Sequence, residues 1–387
     1  MVSTLAYIVL GLTLALGLYT YVGYPALLWL IGRFRQTPWT QSEPSEWPHV
    51  SVTIPVYNER AQIRDLVESL LAIDYPRDRL QILVVSDASS DGTDEIVREY
   101  SAQGIELLRM PERGGKTRAE NAAADHLRGD IVVNTDASIR IRPEAIKRLV
   151  RVFQNPRIGL ASGRDVSFSP GEEKGNLSES GYVGYEMAIR DLETRVGGII
   201  GASGCFYAIR PALHRIKLPD SLSRDFASAL HTRENGYVPV SVPDALCLVP
   251  RTDSLEREYR RKVRTITRGM ETLWHKRNLL NPFRFGSFAL KLLSHKICRW
   301  MLPWAGFAAW AATWILAPQH TWALVLAVGG LLIWIFAAVG WWMARLGKPD
   351  SPLTSLAFVV AGNLAAAHAL LRVLHGDRLP IWEPTRR

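Results

Sequence analysis

The 387-residue sequence contains only three cysteines, at positions 205, 247 and 298, and none of them forms a CxxC or CxxH spacing. This scarcity excludes a disulfide framework and a cysteine-based zinc site, and free thiols are typical of a reducing compartment. Charged residues make up only 21% of the chain, against 48% hydrophobic residues. That balance excludes a disordered chain and is unusual for a wholly soluble enzyme.

Charge is missing altogether from residues 1–32, 301–343 and 352–371, which contain no Asp, Glu, Lys or Arg. One bilayer crossing needs about 20 apolar residues. We therefore predict one transmembrane helix within residues 1–35 and further transmembrane helices within 301–375. The first stretch lacks the charged start of a signal peptide, and the arginines at positions 33 and 35 place its far end in the cytoplasm.

Residues 251–300 are strongly basic, with 13 Lys or Arg and four Asp or Glu. This surplus equals the formal net charge of +9 of the whole chain. Because the basic segment directly precedes an apolar one, we interpret it as interfacial helices that face anionic lipid headgroups or anionic substrates. The expected partners are therefore membrane lipids and not nucleic acid.

Residues 48–250 alternate between strand and helix patterns after a proline-containing linker at 38–48. The strand candidates are 50–56, 81–86, 105–109, 131–133 and 158–166, and the helix candidates are 61–72, 93–100, 116–126 and 143–153. This alternation predicts an α/β domain with a mostly parallel sheet and helices on both faces. Such sheets bind ligands at the carboxyl ends of their strands.

The loops at those strand ends are rich in carboxylates and phosphate-binding residue types: Tyr57-Asn58-Glu59, Asp87–Thr93, Arg113–Lys116 and Thr135–Ser138. Two common nucleotide motifs are absent, however. Gly115-Lys116-Thr117 ends like a P-loop, but position 110 is Met where that motif needs Gly. No G-x-G-x-x-G follows the first strand, which excludes a typical dinucleotide-binding fold.

Seven motifs in order along residues 50–270 resemble the family 2 glycosyltransferases, which are membrane-associated enzymes with a Rossmann-like GT-A fold. The matching segments are the strand and P-x-Y-N-E loop at 50–59, Ser86–Thr93, the G-K-x-x-A-x-N segment at 115–121, the D-x-D position at 134–138, Gly201–Arg210, Arg224–Phe226 and Arg261–Thr265. Ordered co-occurrence is more specific than any one of these motifs. The expected architecture is thus a GT-A catalytic domain with transmembrane helices at both ends.

The resemblance implies an inverting transferase that moves a sugar from a nucleotide sugar, expected to be a UDP-sugar, to a hydroxyl acceptor. Asp225 would be the catalytic base. The predicted nucleotide-binding residues are Glu59, Asp87, Lys116, Asp136, Arg261 and Arg264. Asp136 and Ser138 would hold Mg²⁺ or Mn²⁺, since hard oxygen ligands suit either ion and the cation stabilises a departing diphosphate.

The family's usual role implies a multi-pass protein of the cell inner membrane with a cytoplasmic catalytic domain, acting on a glycan or lipid-linked acceptor in envelope or exopolysaccharide synthesis. Three alternatives stay open: a polyprenyl-phosphate glycosyltransferase, a processive polysaccharide synthase, and a non-catalytic membrane scaffold. Ser138 departs from the second Asp of D-x-D, and Arg224 stands in place of an acid. Arg261 and Thr265 replace the Gln and Trp of the processive signature.

Several of these residues also have a simpler structural interpretation. Asp91 is typical of a helix cap. Lys116 is equally compatible with a surface lysine, and the arginines at 261 and 264 with lipid-facing charge. The side of the membrane on which the tail at 376–387 lies also stays open, because four crossings would place its arginines outside, against the positive-inside bias.

Overall fold

The computed structural model describes residues 1–39, 42–168, 181–250, 254–347 and 351–377. The chain divides into two compact units. A helical unit comprises Met1–Trp29, Thr252–Met270 and Ala289–Arg378, and an α/β unit comprises Leu30–Arg251 and Glu271–Phe288. Most of the predicted tail, residues 378–387, lies outside the described residues, and the domain boundaries expected from composition stay predictions.

The α/β unit is built on an eight-stranded sheet. Its strands are β1 Val50–Val56, β2 Leu80–Ser86, β3 Ile105–Arg109, β4 Ile131–Thr135, β5 Arg140–Ile141, β6 Ile158–Phe168, β7 Phe206–Ile209 and β8 Val238–Pro250. Their order across the sheet is β3-β2-β1-β4-β7-β6-β8-β5. The predicted α/β class is confirmed, and the strand predicted at 50–56 has the bounds observed for β1.

Four strands, β3, β2, β1 and β4, pair in parallel and form the first half of the sheet. All seven residues of β1 are buried, as expected for a parallel strand covered on both faces. The second half is mixed, because β7 runs antiparallel to both β4 and β6. The strands β5, β7 and β8 were missed by the sequence patterns, so the sheet is less uniformly parallel than predicted.

The insertion of β7 decides which loops meet at the sheet edge. Phe206, the first residue of β7, pairs with Thr135, the last residue of β4. The residues just before β7 therefore lie beside the residues just after β4. This places Gly204 at the edge where the loops after β1, β2 and β4 also leave the sheet.

The α-helices of the described residues are α1 Val2–Leu18, α2 Tyr24–Gly32, α3 Ile63–Leu71, α4 Thr93–Glu99, α5 Lys116–Ala123, α6 Ala145–Val150, α7 Gly181–Arg195, α8 Pro211–His214, α9 Arg224–Glu234, α10 Leu255–His275, α11 Pro282–Phe285, α12 Ser287–Leu292, α13 Cys298–Leu316, α14 Thr321–Arg345 and α15 Pro352–His375. In the α/β unit, α3 buries an apolar stripe at helical spacing. The stripe is Ile63, Leu66, Val67 and Leu70, which join the core cluster containing β1.

The described residues contain three helical segments long and apolar enough to cross a membrane: Val2–Gly32, Thr321–Arg345 and Pro352–His375. They correspond to the predicted N-terminal span and to two of the predicted C-terminal spans. The remaining predicted span forms a helix, α13, but is not among these segments. Its composition is dominated by Ala and Trp and includes Arg299 and Pro303, so a crossing by α13 stays a prediction.

The helices of the helical unit approach closely where side chains are small. α13 packs against α1, α14 and α15. Trp310 donates its indole N–H to the carbonyl of Ala327 at 3.0 Å, in a space left open by Gly330. At the α14–α15 contact, a Cβ on Gly340 would lie 2.0 Å from the carbonyl oxygen of Leu353. Small residues at such contacts are typical of helix packing in membranes.

We expect Gly340→Ala to destabilise the helical unit, because the added methyl group would overlap backbone atoms that cannot move aside. The cost should be about 1–3 kcal/mol. Gly329→Ala is the matched control, since Gly329 lies on the same helix and a methyl group added there would meet no atom within 4 Å. Thermal unfolding in detergent should show a lower midpoint for the first variant alone; equal midpoints would contradict the close contact.

Candidate active site

The loops that follow β1 and β2 are joined by hydrogen bonds. The Asn58 amide donates to Ser89 Oγ at 3.1 Å, and Asn58 Oδ1 accepts from the Ser90 amide at 2.8 Å. Asn58 has a φ of +51°, a conformation that Asn tolerates better than most residues. The Glu59 amide donates to Thr93 Oγ1 at 2.9 Å. Together these bonds hold Glu59, a buried residue, at the carboxyl end of β1.

Asp91 supports the start of α4. One of its carboxylate oxygens accepts from the Thr93 amide and the other from the Arg60 amide, each at 3.0 Å. Burial by itself would raise the pKa of Asp91, but the hydrogen bonds from Thr93 and Arg60 outweigh it and lower the pKa below its ordinary value. The N-cap residue of α4 is Gly92, so Asp91 lies one position before the cap and supports the helix start through the Thr93 amide.

Asp87 lies at the end of β2 with a relative exposure of 2%. Its Oδ1 accepts from the Gly114 amide and its Oδ2 from the Gly115 amide, both at 2.8 Å. Asp87 therefore shapes the loop that begins α5, which is a role the motif did not reveal. Contact between Asp87 and a bound nucleotide stays a prediction.

Lys116, the first residue of α5, joins this loop to the end of β4. Its ammonium group donates to Asp136 Oδ1 and, at 2.9 Å, to the Gly204 carbonyl. The side chain is only 16% exposed, so the interpretation of Lys116 as a surface lysine is wrong. Burial alone would lower the pKa of Lys116, but Asp136, Glu120 and Asp225 outweigh it and raise the pKa above its ordinary value.

Asp225 lies in the first turn of α9 and faces the same place. Ser223 Oγ donates to Asp225 Oδ1 at 2.6 Å. A Cβ on Gly204 would be 3.3 Å from Asp225 Oδ2, so this glycine leaves room for the carboxylate. We call Lys116, Asp136, Gly204 and Asp225 the lysine–carboxylate cluster. Sequence motifs predicted its three charged members; Gly204 stood only inside the Gly201–Arg210 motif.

Glu120 was missed by the sequence patterns. It is fully buried and lies one turn after Lys116 on α5, with its Oε2 3.1 Å from Arg224 Nε. Burial raises the pKa of Glu120 above its ordinary value, and the charges of Lys116 and Arg224 oppose that rise. The i, i+4 spacing from Lys116 was visible in the sequence, but such pairs are common on exposed helix faces and did not indicate burial.

The two predicted nucleotide-binding arginines, Arg261 and Arg264, lie on the part of α10 that belongs to the helical unit. There Arg261 forms a two-pronged ion pair with Glu258, each pair of atoms 2.8 Å apart. Their participation in nucleotide binding stays a prediction.

Asp136 and Ser138 supply the oxygen donors predicted for a divalent cation. Both are half-buried and directly follow β4. Among the described residues, no group of three or more His, Cys, Asp or Glu side chains is placed to hold a metal ion. Mg²⁺ in nucleotide enzymes commonly takes one or two carboxylates and fills its remaining positions with phosphate oxygens and water. The donor set fits such a shared site and does not fit a metal cage made by the protein alone.

Comparisons with known proteins show what the chain is similar to. Residues 51–216 match the sequence model of glycosyl transferase family 2. A probable glycosyltransferase of Bacillus subtilis, YdaM, is 35% identical over 126 residues, covering 31% of this chain and 30% of that protein. A poly-beta-1,6-N-acetyl-D-glucosamine synthase of Staphylococcus epidermidis is 23% identical over 65% of both chains.

The chain spans 30–41% of the length of the first curated relatives it matches. Among solved structures, a mannosyltransferase of Pyrobaculum calidifontis in complex with GDP-Man and Mn²⁺ superimposes with a TM-score of 0.71. It is 22% identical, and the match covers 96% of this chain and all of that one. At this identity the likeness concerns the fold, and it confirms the predicted GT-A architecture.

Asp87→Asn should loosen the loop that begins α5, because an amide NH₂ cannot accept a hydrogen bond from Gly114 or Gly115. We expect a loss of about 1–3 kcal/mol in the free energy of unfolding, since a buried amide would lose its partner. Chemical denaturation followed by tryptophan fluorescence measures this loss. Asp78→Asn, at an exposed position of the same unit, is the control, and equal losses in both variants would contradict the proposed support of this loop.

Proposed function

We propose that this chain, whose residues 51–216 match the sequence model of glycosyl transferase family 2, transfers a sugar from a nucleotide-sugar donor to a hydroxyl acceptor with inversion at the anomeric carbon. The observation that carries this proposal is the lysine–carboxylate cluster. It brings a cation and two carboxylates from three separate elements to the edge where the strands of the sheet end.

The donor is proposed to lie across the loops after β1, β2 and β4. Glu59 and Asp87 are candidates for the nucleoside, because ribose hydroxyl groups donate well to carboxylates. Lys116 is a candidate for the diphosphate, since a buried ammonium attracts phosphate oxygens strongly. A UDP-sugar is the proposed donor.

Asp225 is proposed as the general base. As the acceptor oxygen bonds to the anomeric carbon, the bond from that carbon to the diphosphate oxygen breaks and Asp225 takes the acceptor's hydroxyl proton. Two features support this role: Ser223 orients the carboxylate, and Gly204 leaves it uncovered by a side chain. A positioned general base typically contributes about 10²–10⁴-fold in rate.

Mg²⁺ or Mn²⁺ at Asp136 and Ser138, when bound, would stabilise the negative charge that develops on the departing diphosphate. Asp136 already has a cationic partner in Lys116. The carboxylate is therefore positioned by the protein before a cation arrives, which favours a fixed geometry over one created by the metal.

The three apolar helical segments support an enzyme attached to a membrane. We propose that the protein is a multi-pass protein of the cell inner membrane, with the α/β unit in the cytoplasm where nucleotide sugars are available. A glycan or a lipid-linked hydroxyl compound is the proposed acceptor.

Asp225→Asn should lower turnover at least about 100-fold, because an amide cannot take the acceptor proton. Nucleotide-sugar consumption and product formation by the purified protein in detergent measure turnover, and calorimetry with the nucleotide shows whether donor binding is retained. Asp220→Asn is the matched control, at an exposed acid five residues earlier.

The outcomes of this experiment separate the acceptor classes. A variant that binds the donor but no longer transfers to a hydroxyl acceptor supports Asp225 as the base. Full activity toward a polyprenyl phosphate would indicate an acceptor that is already anionic and needs no base. Absence of any metal-dependent nucleotide binding by the unaltered protein would indicate a scaffold.

Asp136→Asn should raise the Mn²⁺ concentration needed for half-maximal activity by at least tenfold, because the change removes the carboxylate charge from the proposed site. Ser138→Ala should produce a smaller rise, since a neutral hydroxyl is a weaker ligand. Activity titrations from zero to millimolar Mn²⁺ and Mg²⁺ measure both effects. Identical titration curves for Asp136→Asn and the unaltered protein would remove Asp136 from the metal site.

A further inference from the structure

A buried ion pair lies directly behind the lysine–carboxylate cluster. Glu120 and Arg224 have side-chain exposures of 0% and 2%, and Glu120 Oε2 is 3.1 Å from Arg224 Nε. Within the described part of the chain neither carboxylate oxygen of Glu120 accepts an aligned hydrogen bond. The carboxylate is therefore retained in the interior by charge, with Arg224 on one side and Lys116 one turn earlier on its own helix.

Arg224 uses its remaining guanidinium nitrogens to join two further elements. Its Nη1 donates to Asn121 Oδ1, next to Glu120 on α5. Its Nη2 donates at 2.8 Å to the carbonyl of His214, at the end of α8. One planar side chain thus connects α5, α8 and the start of α9. A lysine could not make these contacts at once, because its ammonium is a single point of charge on a flexible stem.

The same face of α5 also holds the chain that leads to Asp225. Thr117 Oγ1 donates to the Leu222 carbonyl at 3.1 Å. Asn121 donates to the Leu218 carbonyl at 2.8 Å and accepts from the Leu218 amide at 3.2 Å. The segment before the proposed base is therefore attached to α5 at several points, and Arg224 is the last of them.

Through these contacts α5 positions both carboxylates of the cluster. Lys116 at its first residue holds Asp136, while Glu120 and Asn121 hold the residue adjacent to Asp225. We propose that Glu120 and Arg224 are positioning residues, which set the place of Asp225 relative to Lys116 and Asp136 without touching substrate. This inference rests on the proposed function, in which Asp225 is the base.

Stability alone is a poor explanation for this pair. A buried ion pair can often be replaced by apolar residues of similar volume without loss of stability, because desolvation cancels much of the attraction. An apolar pair would lack the directional contacts that Arg224 makes with Asn121 and the His214 carbonyl. Small displacements of a reacting group are costly to rate, up to about 10²-fold for 1 Å.

The test replaces both charges together. In Glu120→Leu/Arg224→Met, the buried pair becomes apolar and no charge is left without its partner. We expect a folded protein with a donor KM within about twofold of the unaltered protein and a kcat lowered at least tenfold. The control is Arg151→Met/Asp244→Asn, which removes the ion pairs of Asp244 with Arg151 and Arg148, in the same unit but outside the cluster, and should leave kcat unchanged.

Arg224→Lys provides a second test of the positioning role, which can be used even if the double variant does not fold. It keeps the positive charge and loses the planar contacts to Asn121 and His214. We expect kcat to fall at least about fivefold with the donor KM unchanged, because donor binding does not use Arg224 while the place of Asp225 does. A kcat equal to that of the unaltered protein, in either folded variant, would overturn the proposal.

The unaltered protein and Asp225→Asn are assayed in the same experiment to separate this inference from the proposed function. If the unaltered protein transfers no sugar, the proposed function fails first. If it transfers sugar, Asp225→Asn is inactive and either folded positioning variant keeps full kcat, only the positioning role is wrong. A merely structural role would lower the unfolding midpoint and the yield of folded protein but leave kcat per folded molecule unchanged.

Discussion

The contact between the Lys116 ammonium and the Asp136 carboxylate is the interaction on which the candidate site depends. Asp136 follows β4, and Lys116 follows a loop shaped by Asp87 at the end of β2. The same ammonium binds the carbonyl of Gly204, which precedes β7. One buried cation therefore connects the ends of three strands. Without this ammonium, the half-buried carboxylates of Asp136 and Asp225 would lose a nearby positive charge, which is unfavourable for both.

The loops of the site are connected to one another by hydrogen bonds as well as by this ion pair. Parallel strands deliver their loops to one edge, but they do not determine how those loops pack. Here backbone amides at 114 and 115 donate to Asp87, and the amide of Asn58 donates to Ser89. Groups held by such bonds need little reorganisation when a ligand binds, which is the physical basis of electrostatic preorganisation.

The departures from the family's motifs have different physical consequences. At the proposed metal site, Ser138 would bring less charge than the second Asp of D-x-D, so phosphate oxygens and water would supply more of the coordination. Arg224 stands where the family has an acid, but its guanidinium is directed toward Glu120, Asn121 and the carbonyl of His214. The positive charge of Arg224 at this motif position is thus matched by the negative charge of Glu120 on α5. Such pairing is expected, because burying an unpaired charge is costly.

The sequence by itself determined the features that depend on neighbouring residues. These include the charge-free stretches, the strand at 50–56, the turn chemistry after each strand, and the order of motifs that indicated a GT-A domain and predicted Asp136 and Asp225 as site residues. Such features follow from hydrophobic periodicity and from local backbone preferences, which a short window contains.

Tertiary structure alone decided that β7 enters the sheet antiparallel, that Gly204 reaches the cluster, and that Glu120 is buried against Arg224 rather than exposed on a helix face. These depend on pairing between residues as many as 104 positions apart, and no local pattern encodes which distant partner will supply the opposite charge or the missing side chain.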